Sequence, residues 1–74
     1  MKLADRIVAD ADTCAGHPRI VGTRIRVAHI LEWLAAGMTE QDILADYDQL
    51  TAQDIRAALA FGAATVEKSA VAAE

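Results

Sequence analysis

The sequence contains few of the residues that cross-link or interrupt a chain: one cysteine, one proline and four glycines among 74 residues. One cysteine cannot form an internal disulfide, which excludes a disulfide-stabilised secreted scaffold and indicates a reduced protein. No apolar run approaches the roughly 20 residues that span a bilayer. The first ten residues carry charges where a signal peptide needs an apolar core. These absences predict a cytoplasmic protein that does not enter the membrane.

Aromatic residues are also scarce, at 4% of the chain, although 54% of it is hydrophobic. Alanine supplies much of the apolar content, which favours helices that pack closely. A chain of this length buries only about 60% of the surface that it exposes when unfolded. Its core is therefore marginal, and we expect an oligomer or a protein partner to add stability.

Basic residues are few after residue 29. Residues 30–74 contain Arg56 and Lys68 against eight carboxylates, whereas residues 1–29 contain five Lys or Arg against three Asp. An acidic surface is unfavourable for nucleic acid, because phosphate contacts dominate that affinity. It suits a basic protein partner instead. The alternative is that these carboxylates lie on solvated helix faces.

Short β-branched segments occupy residues 1–27. Residues 6–9 predict one strand. Ile20-Val21 and Ile25-Arg26-Val27 predict a β-hairpin, joined by Gly22-Thr23-Arg24 with Arg24 at the tip. One interpretation of this turn is a contact with nucleic acid. The alternative is a plain hairpin turn in which Arg24 pairs with a helix carboxylate.

Three helical patterns follow over residues 28–67, each with its own start signal. The first covers residues 28–36 and ends before Gly37, since glycine is favoured just after a helix. Thr39 and Asp42 form a capping pair at the start of the second. Apolar residues at helical spacing give these two helices a buried face: Val27, Ile30, Leu31 and Leu34 in the first, Ile43, Leu44 and Tyr47 in the second.

The third helix starts at a second capping pair, Thr51 and Asp54, and Leu50 before it is predicted to lie in the core. Residues 68–74 extend this helix or fray. The predicted fold class is mainly α. A short N-terminal β-hairpin is followed by a three-helix, helix-turn-helix unit, all in a single domain.

The third helix is apolar on two faces. One face is predicted to be buried in the core: Ile55, Ala58, Leu59, Gly62, Ala63 and Val66. The second apolar face lies beside the first and consists of Ala57, Ala60, Phe61 and Ala64. A helix that is apolar on most sides is usually covered on most sides, and so short a chain has too few elements to do this. We therefore expect an intermolecular surface, in a homo-oligomer or a complex; the alternative is that Phe61 packs on the N-terminal strand.

No constellation of residues predicts catalysis or a cofactor. Cys14 and His17 have a spacing that suits half of a zinc site, but a structural site needs four ligands, and His29 is the only other histidine. The carboxylates lie on outward helix faces or in first turns, and the chain is too small for a substrate pocket of its own. We expect no enzymatic activity and no bound metal or cofactor.

The second and third helices have the layout of a helix-turn-helix, whose recognition helix places its first residues in the DNA major groove. Thr51, Gln53 and Arg56 are the candidates for that contact, because Gln and Arg can read base edges. Arg24 and Arg26 are candidates for contacts to the DNA backbone. The alternative is that the helices simply pack, with Thr51 used as a cap.

The sequence from about Ile7 to Phe61 resembles the small prokaryotic family known as domain of unknown function 433. The matching elements are Asp12, Cys14, Gly16, Pro18, the GTRI run Gly22–Ile25, Ala36-Gly37-Met38-Thr39, Asp42-Ile43-Leu44, Tyr47, Leu50-Thr51 and Asp54-Ile55. The family's tyrosine is commonly followed by proline, where Asp48 stands here. A lysine often found after the first glycine is replaced by His17.

The resemblance implies a homeodomain-like helix-turn-helix and the role of antitoxin in a type II toxin–antitoxin operon. Its expected partner is a toxin similar to PIN-type, metal-dependent ribonucleases, held inactive while the antitoxin also represses the shared promoter by binding operator DNA. In this hypothesis the third helix covers the toxin, with Trp33, Phe61, Val66 and Glu67 in the contact. The alternative is a DNA-binding regulator without a toxin partner, and a third reading is an oligomeric structural protein.

Overall fold

The protein folds into a small antiparallel sheet and three helices, and the computed structural model describes residues 1–69. The strands and α-helices in chain order are β1 (Lys2–Ala4), β2 (Ile7–Val8), β3 (Arg19–Ile20), α1 (Val27–Ala35), α2 (Glu40–Asp46) and α3 (Ala52–Ser69), and a single 3₁₀ turn at Cys14–Gly16 lies between β2 and β3. The strands form one sheet in the order β1-β2-β3. The predicted, mainly helical fold class is confirmed. The part of the predicted tail after Ser69 lies outside the described residues.

The sheet differs from the predicted hairpin. β2 pairs with β3, with Ile7 opposite Ile20, so the strand predicted at residues 6–9 is the true partner of β3. β1 pairs with the other edge of β2, and this strand was not predicted. Residues 25–27, the predicted second arm, make only one isolated bridge to β3, because α1 already begins at Val27.

Thr23 closes the turn between β3 and α1. Its Oγ1 donates to the Ile20 carbonyl at 2.9 Å and accepts the Ile25 N–H at 3.0 Å. Gly22 has φ 79°, a left-handed conformation that glycine adopts without steric cost. The chain therefore reverses within a few residues, which leaves no length for a second strand.

Both predicted capping pairs are confirmed. On α2, the Thr39 N–H donates to Asp42 Oδ2 at 2.9 Å, and the Asp42 N–H donates to Thr39 Oγ1 at 3.1 Å. On α3, Thr51 and Asp54 make the same reciprocal pair at 3.0 and 3.2 Å. Each pair satisfies backbone donors that a helix start leaves free. Gly37, with φ 103°, lets the chain turn away after α1 as predicted.

Five isoleucines, one from each element except β1, form the centre of the core. They are Ile7, Ile20, Ile30, Ile43 and Ile55. Four smaller or flanking residues complete the buried cluster: Ile25, Val27, Leu50 and Ala58. Isoleucine has few rotamers to lose on burial and no polar atom to satisfy. The core therefore lies where the sheet, α1, α2 and the first half of α3 meet, and the predicted burial of Leu50 is confirmed.

The predicted burial of Leu59, Ala63 and Val66 is wrong. The exposed fractions of the Leu59 and Val66 side chains are 48% and 71%, and Ala63 is exposed too. α1 and α3 approach closely at Gly62, where an added Cβ would lie 2.9 Å from Leu31 Cδ1. Every residue from Ala63 to Ser69 is exposed. α3 therefore extends past its neighbours, and helical spacing predicts an apolar face but not where its packing ends.

An ion pair between half-buried Arg6 and buried Asp54 fastens the sheet to α3. Arg6 Nη1 donates to Asp54 Oδ1 at 3.0 Å, while Asp54 Oδ2 accepts the Thr51 N–H. Asp54 is only 4% exposed, and burying a carboxylate is costly unless it is paired and hydrogen-bonded. Arg6 stands in the β1–β2 turn with φ 67°, which costs a non-glycine residue about 1–2 kcal/mol. The ion pair offsets that strain and holds the turn over the start of α3.

Replacing Asp54 with alanine should lower the free energy of unfolding by about 2–4 kcal/mol, because it removes a cap and leaves the Arg6 guanidinium without its partner. Asp42→Ala is the matched control, since it removes the equivalent cap at an exposed position that has no arginine. Its effect should be smaller. Urea unfolding followed by circular dichroism measures both variants. Equal losses in the two would contradict a structural role for the ion pair.

Candidate functional site

α3 presents two uncovered surfaces, one on each side of the face that packs in the core. On one side, Leu59, Ala63 and Val66 recur at i, i+4 and i+7 and are exposed; these three residues are called the exposed stripe. On the other side, a groove of about 510 Å³ runs between the sheet and α3. It is called the β1–α3 groove, and its apolar floor consists of Leu3, Ala4, Ala57, Ala60, Phe61 and Ala64.

The predicted partner contacts on α3 do not share one surface. Val66 belongs to the exposed stripe, and Glu67 beside it is exposed. Phe61 lies five residues before Val66, which is about 140° around the helix, and it lines the β1–α3 groove together with Leu3. Phe61 is also half-buried against the core. Its position agrees with the alternative in which it packs toward the N-terminal strand.

Trp33, the fourth predicted partner contact, packs inside the molecule. Its ring is stacked on Tyr47, with centroids 4.4 Å apart and an interplanar angle of 11°. His29 lies farther away, at 6.1 Å between centroids. Tyr47 is the C-cap residue of α2, so the stack joins the end of α2 to α1. Trp33 is half-buried and offers a partner only part of its surface.

Two of the predicted DNA contacts take part in interactions within the protein. The Thr51 hydroxyl accepts the Asp54 N–H as a cap, and Gln53 Oε1 accepts a hydrogen bond from Arg6 Nη2. Arg56 is exposed and stands at the rim of the β1–α3 groove. Sequence reasoning missed the role of Arg6, because the residues that it contacts lie 47 and 48 positions away and no local pattern links them.

The two arginines of the predicted hairpin differ in their surroundings. Arg24 is exposed and forms no ion pair with any of residues 1–69, so its expected pairing with a helix carboxylate is not observed. Its carbonyl accepts the Cys14 thiol at 3.3 Å. Arg26 is half-buried at the N-cap position of α1. Among the five predicted DNA contacts, only Arg24 and Arg56 are exposed cations.

Carboxylates gather on α1, α2 and the turn after α2. This segment, residues 27–48, contains no Lys or Arg and five acidic residues: Glu32, Glu40, Asp42, Asp46 and Asp48. Hydrogen bonds from the backbone and side chain of Thr39 hold the pKa of Asp42 below its usual value. The surface is therefore negative at neutral pH, which repels DNA phosphates and attracts basic proteins.

The candidate metal ligands do not form a site in the described part of the chain. Within residues 1–69, no three side chains of Cys, His, Asp or Glu come together as metal ligands. Cys14 is half-buried and His17 is exposed. Across the same residues, no helix combines the length and the apolar content needed to cross a membrane.

The sequence and the fold together match a known family. The family described as Protein of unknown function (DUF433) matches residues 7–62. A crystal structure of a DUF433 member protein from Anabaena variabilis is 32% identical to this chain, with a TM-score of 0.79. The similarity covers 85% of this chain and 62% of the Anabaena chain, so this chain spans less than two thirds of that one. No curated protein matches this chain.

We expect Tyr47→Leu to change the fluorescence of Trp33, because Trp33 is the single tryptophan of the chain and loses its stacking partner. The emission should move to longer wavelength, and the free energy of unfolding should fall by about 0.5–1.5 kcal/mol. His29→Leu removes the more distant ring and should change both quantities less. An unchanged emission spectrum in Tyr47→Leu would argue against the stack.

Proposed function

This chain belongs to the DUF433 family of proteins of unknown function, and we propose that it is the antitoxin of a type II toxin–antitoxin pair. It binds a PIN-like ribonuclease and holds it inactive by covering the active-site surface. The observation that best supports this proposal is the exposed stripe at the end of α3, an apolar surface that residues 1–69 leave uncovered. Grouped apolar side chains at a surface mark interaction sites.

The end of α3 is a weak helix without a partner. Residues 63–69 are all exposed, and most of the stability of a protein helix comes from the packing of one of its faces, which this part of α3 lacks. Thr65 and Val66 are β-branched, which lowers helix propensity further. The hydroxyls of Thr65 and Ser69 donate to carbonyls one turn earlier, which adds little to helix stability. Burying a fully exposed Leu or Val side chain contributes about 1.5–3 kcal/mol, and a partner that covers the stripe would contribute the part of this that corresponds to the exposed fractions of Leu59 and Val66.

The charge distribution supports a basic partner. The chain has a net charge of −4, Glu67 adjoins the exposed stripe, and the segment formed by residues 27–48 is acidic throughout. An enzyme that binds RNA phosphates presents basic groups, and opposite potentials speed association and disfavour wrong partners. In this proposal Val66 and Glu67 make the direct contact. Phe61 and Trp33 are half-buried within the fold and do not belong to this surface.

Val66→Asp should abolish the complex with the toxin while leaving the fold unchanged, because Val66 is largely exposed in the free protein and a carboxylate is costly in an apolar interface. The variant would be co-expressed with the adjacent reading frames and analysed by size-exclusion chromatography. Ala28→Asp introduces the same charge at an exposed position of α1 and serves as the matched control. Phe61→Asp is less informative, since Phe61 is half-buried and its loss affects folding.

Two results of this experiment would count against the proposal. If the unaltered chain emerges alone, without a basic partner protein, the antitoxin function is contradicted. If the complex forms but Val66→Asp still co-purifies as well as Ala28→Asp, the function stands and the exposed stripe is the wrong surface.

A DNA-binding regulator is the second candidate function. α2 is followed by a short turn and α3, which is the order of elements that a helix-turn-helix needs, and Arg24 and Arg56 are exposed cations. A homodimer would double the number of these charges. The support is weaker than for a protein partner, because Thr51 and Gln53 are engaged within the fold and α2 is acidic.

If the protein binds its promoter, Arg24→Ala and Arg56→Ala should each reduce the slope of log affinity against log salt by about 0.9, the value for one phosphate contact. Fluorescence anisotropy on a promoter duplex between about 50 and 200 mM salt measures this slope. Gln53→Ala removes no charge and should leave the slope unchanged. A flat salt response of the unaltered protein would exclude the regulator function.

A further inference from the structure

We propose that the β1–α3 groove binds an acidic amphipathic helix of a protein partner. The apolar floor of the groove contains none of the residues of the exposed stripe, and Arg56, three residues before Leu59, stands between the two surfaces. This proposal therefore does not rest on the antitoxin function. Its support comes from the shape of the groove floor and from the charges along its rim.

The floor of the groove is apolar and shallow along α3. Ala57, Ala60 and Ala64 recur at i, i+3 and i+7 on this wall. Small side chains let two helices approach to the short end of the usual 8–10 Å interaxial range. The larger apolar surfaces come from Phe61 and from Leu3, whose side chain is 39% exposed. An incoming helix with an apolar face would therefore find close contact along the alanines and a deeper contact at Phe61.

The length of the groove fits a short helix. Its α3 wall runs from Gln53 to Lys68, which is about 22 Å at 1.5 Å per residue. That distance corresponds to about four helical turns.

The rim of the groove is positive although the protein as a whole is negative. Arg6, Arg56 and Lys68 line it against one carboxylate, that of Asp5. These are three of the seven Lys and Arg residues in a chain with a net charge of −4. Arg6 already pairs with Asp54, but Arg56 and Lys68 form no ion pair within residues 1–69. Two uncompensated cations beside an apolar floor complement an acidic amphipathic segment.

The other possible occupants fit this groove less well. A nucleic acid needs donors along its phosphates, and the alanine floor provides none. In a symmetric pair formed by two copies, the same patch lies on both sides, so the Arg56 and Lys68 cations of one copy would approach those of the other. An acidic helix avoids both problems, because its apolar face covers the alanines and its carboxylates reach the rim.

The proposal is tested with two fluorescein-labelled helical peptides of about 15 residues, matched to four turns. Both carry leucines at i, i+3, i+4 and i+7; one has Glu at the remaining positions and the other has Lys. Fluorescence anisotropy with the full chain should show the Glu peptide binding at least about tenfold more tightly than the Lys peptide. Arg56→Glu and Lys68→Glu should each weaken the Glu peptide about threefold, since exposed ion pairs contribute modestly, and the double variant should favour the Lys peptide.

Matched controls separate the groove from the general charge of the protein. Arg24→Glu changes the net charge as much as Arg56→Glu does, but at an exposed site outside the groove, and it should leave the peptide preference unchanged. Val66→Asp should also bind the Glu peptide normally, even where it loses the toxin. Circular dichroism of each variant shows that the fold is retained.

Several results would overturn the proposal. Equal affinity for the two peptides, or no binding of either, would mean that the rim charges do not favour an acidic helix. Reversible dimerisation in sedimentation equilibrium that Ala60→Asp abolishes would identify a second copy as the occupant. Binding of duplex DNA that Arg56→Glu abolishes, without binding of the Glu peptide, would make the rim a phosphate contact instead.

Discussion

The buried carboxylate of Asp54 is the constraint on which the rest of this protein depends. It is the one charged side chain buried among residues 1–69, and its two oxygens accept hydrogen bonds from Arg6 and from the Thr51 N–H. The first bond holds the β1–β2 turn and the second completes the start of α3. A buried carboxylate without such partners is costly, so this one side chain ties the β1–β2 turn to the start of α3, beside the isoleucine core that packs the sheet on the helix.

The same arrangement creates both surfaces of α3. The sheet, α1 and α2 cover the helix as far as Gly62, where α1 and α3 approach closely. The described residues of α3 after Gly62 are all exposed, which leaves Ala63 and Val66 open, and Leu59 is exposed on the same side one turn earlier. The β1–β2 turn, which the ion pair holds in place, lies beside the other flank of α3 and forms part of the β1–α3 groove. Carboxylates lie on α1 and α2, whereas cations line the rim of the groove, so the groove suits an acidic partner although the protein as a whole is negative.

The features that the sequence predicts correctly depend on residues close together in the chain. Each capping pair spans three residues, Gly37 follows directly on α1, and the apolar stripe of α1 needs only helical spacing. The errors concern contacts between distant segments. Nothing local indicates that Ile7 pairs with Ile20 or that Arg6 meets Asp54. Spacing alone also assigned Leu59, Ala63 and Val66 to the core, because it cannot show where the neighbouring helix ends.

The residues predicted for the functional site show the same difference between local features and distant contacts. Val66 and Glu67 are exposed as a binding surface requires, whereas Phe61 lies about 140° away around the helix and is partly used by the core. Thr51 and Gln53 were predicted as DNA contacts from their position at a helix start. Thr51 acts as the cap that the sequence offers as the alternative, whereas Gln53 is engaged by Arg6, which lies 47 positions away in the chain.

Hydrogen exchange along α3, with and without the protein that co-purifies, tests the central claim most directly. If the end of α3 is a surface completed by a partner, amides of residues 63–69 exchange quickly in the free protein, while those around Ile55 and Ala58 are protected by the core. The partner should then protect residues 63–69 strongly. Protection of these residues in the free protein equal to that at Ile55, or no change when the partner is added, would contradict the account.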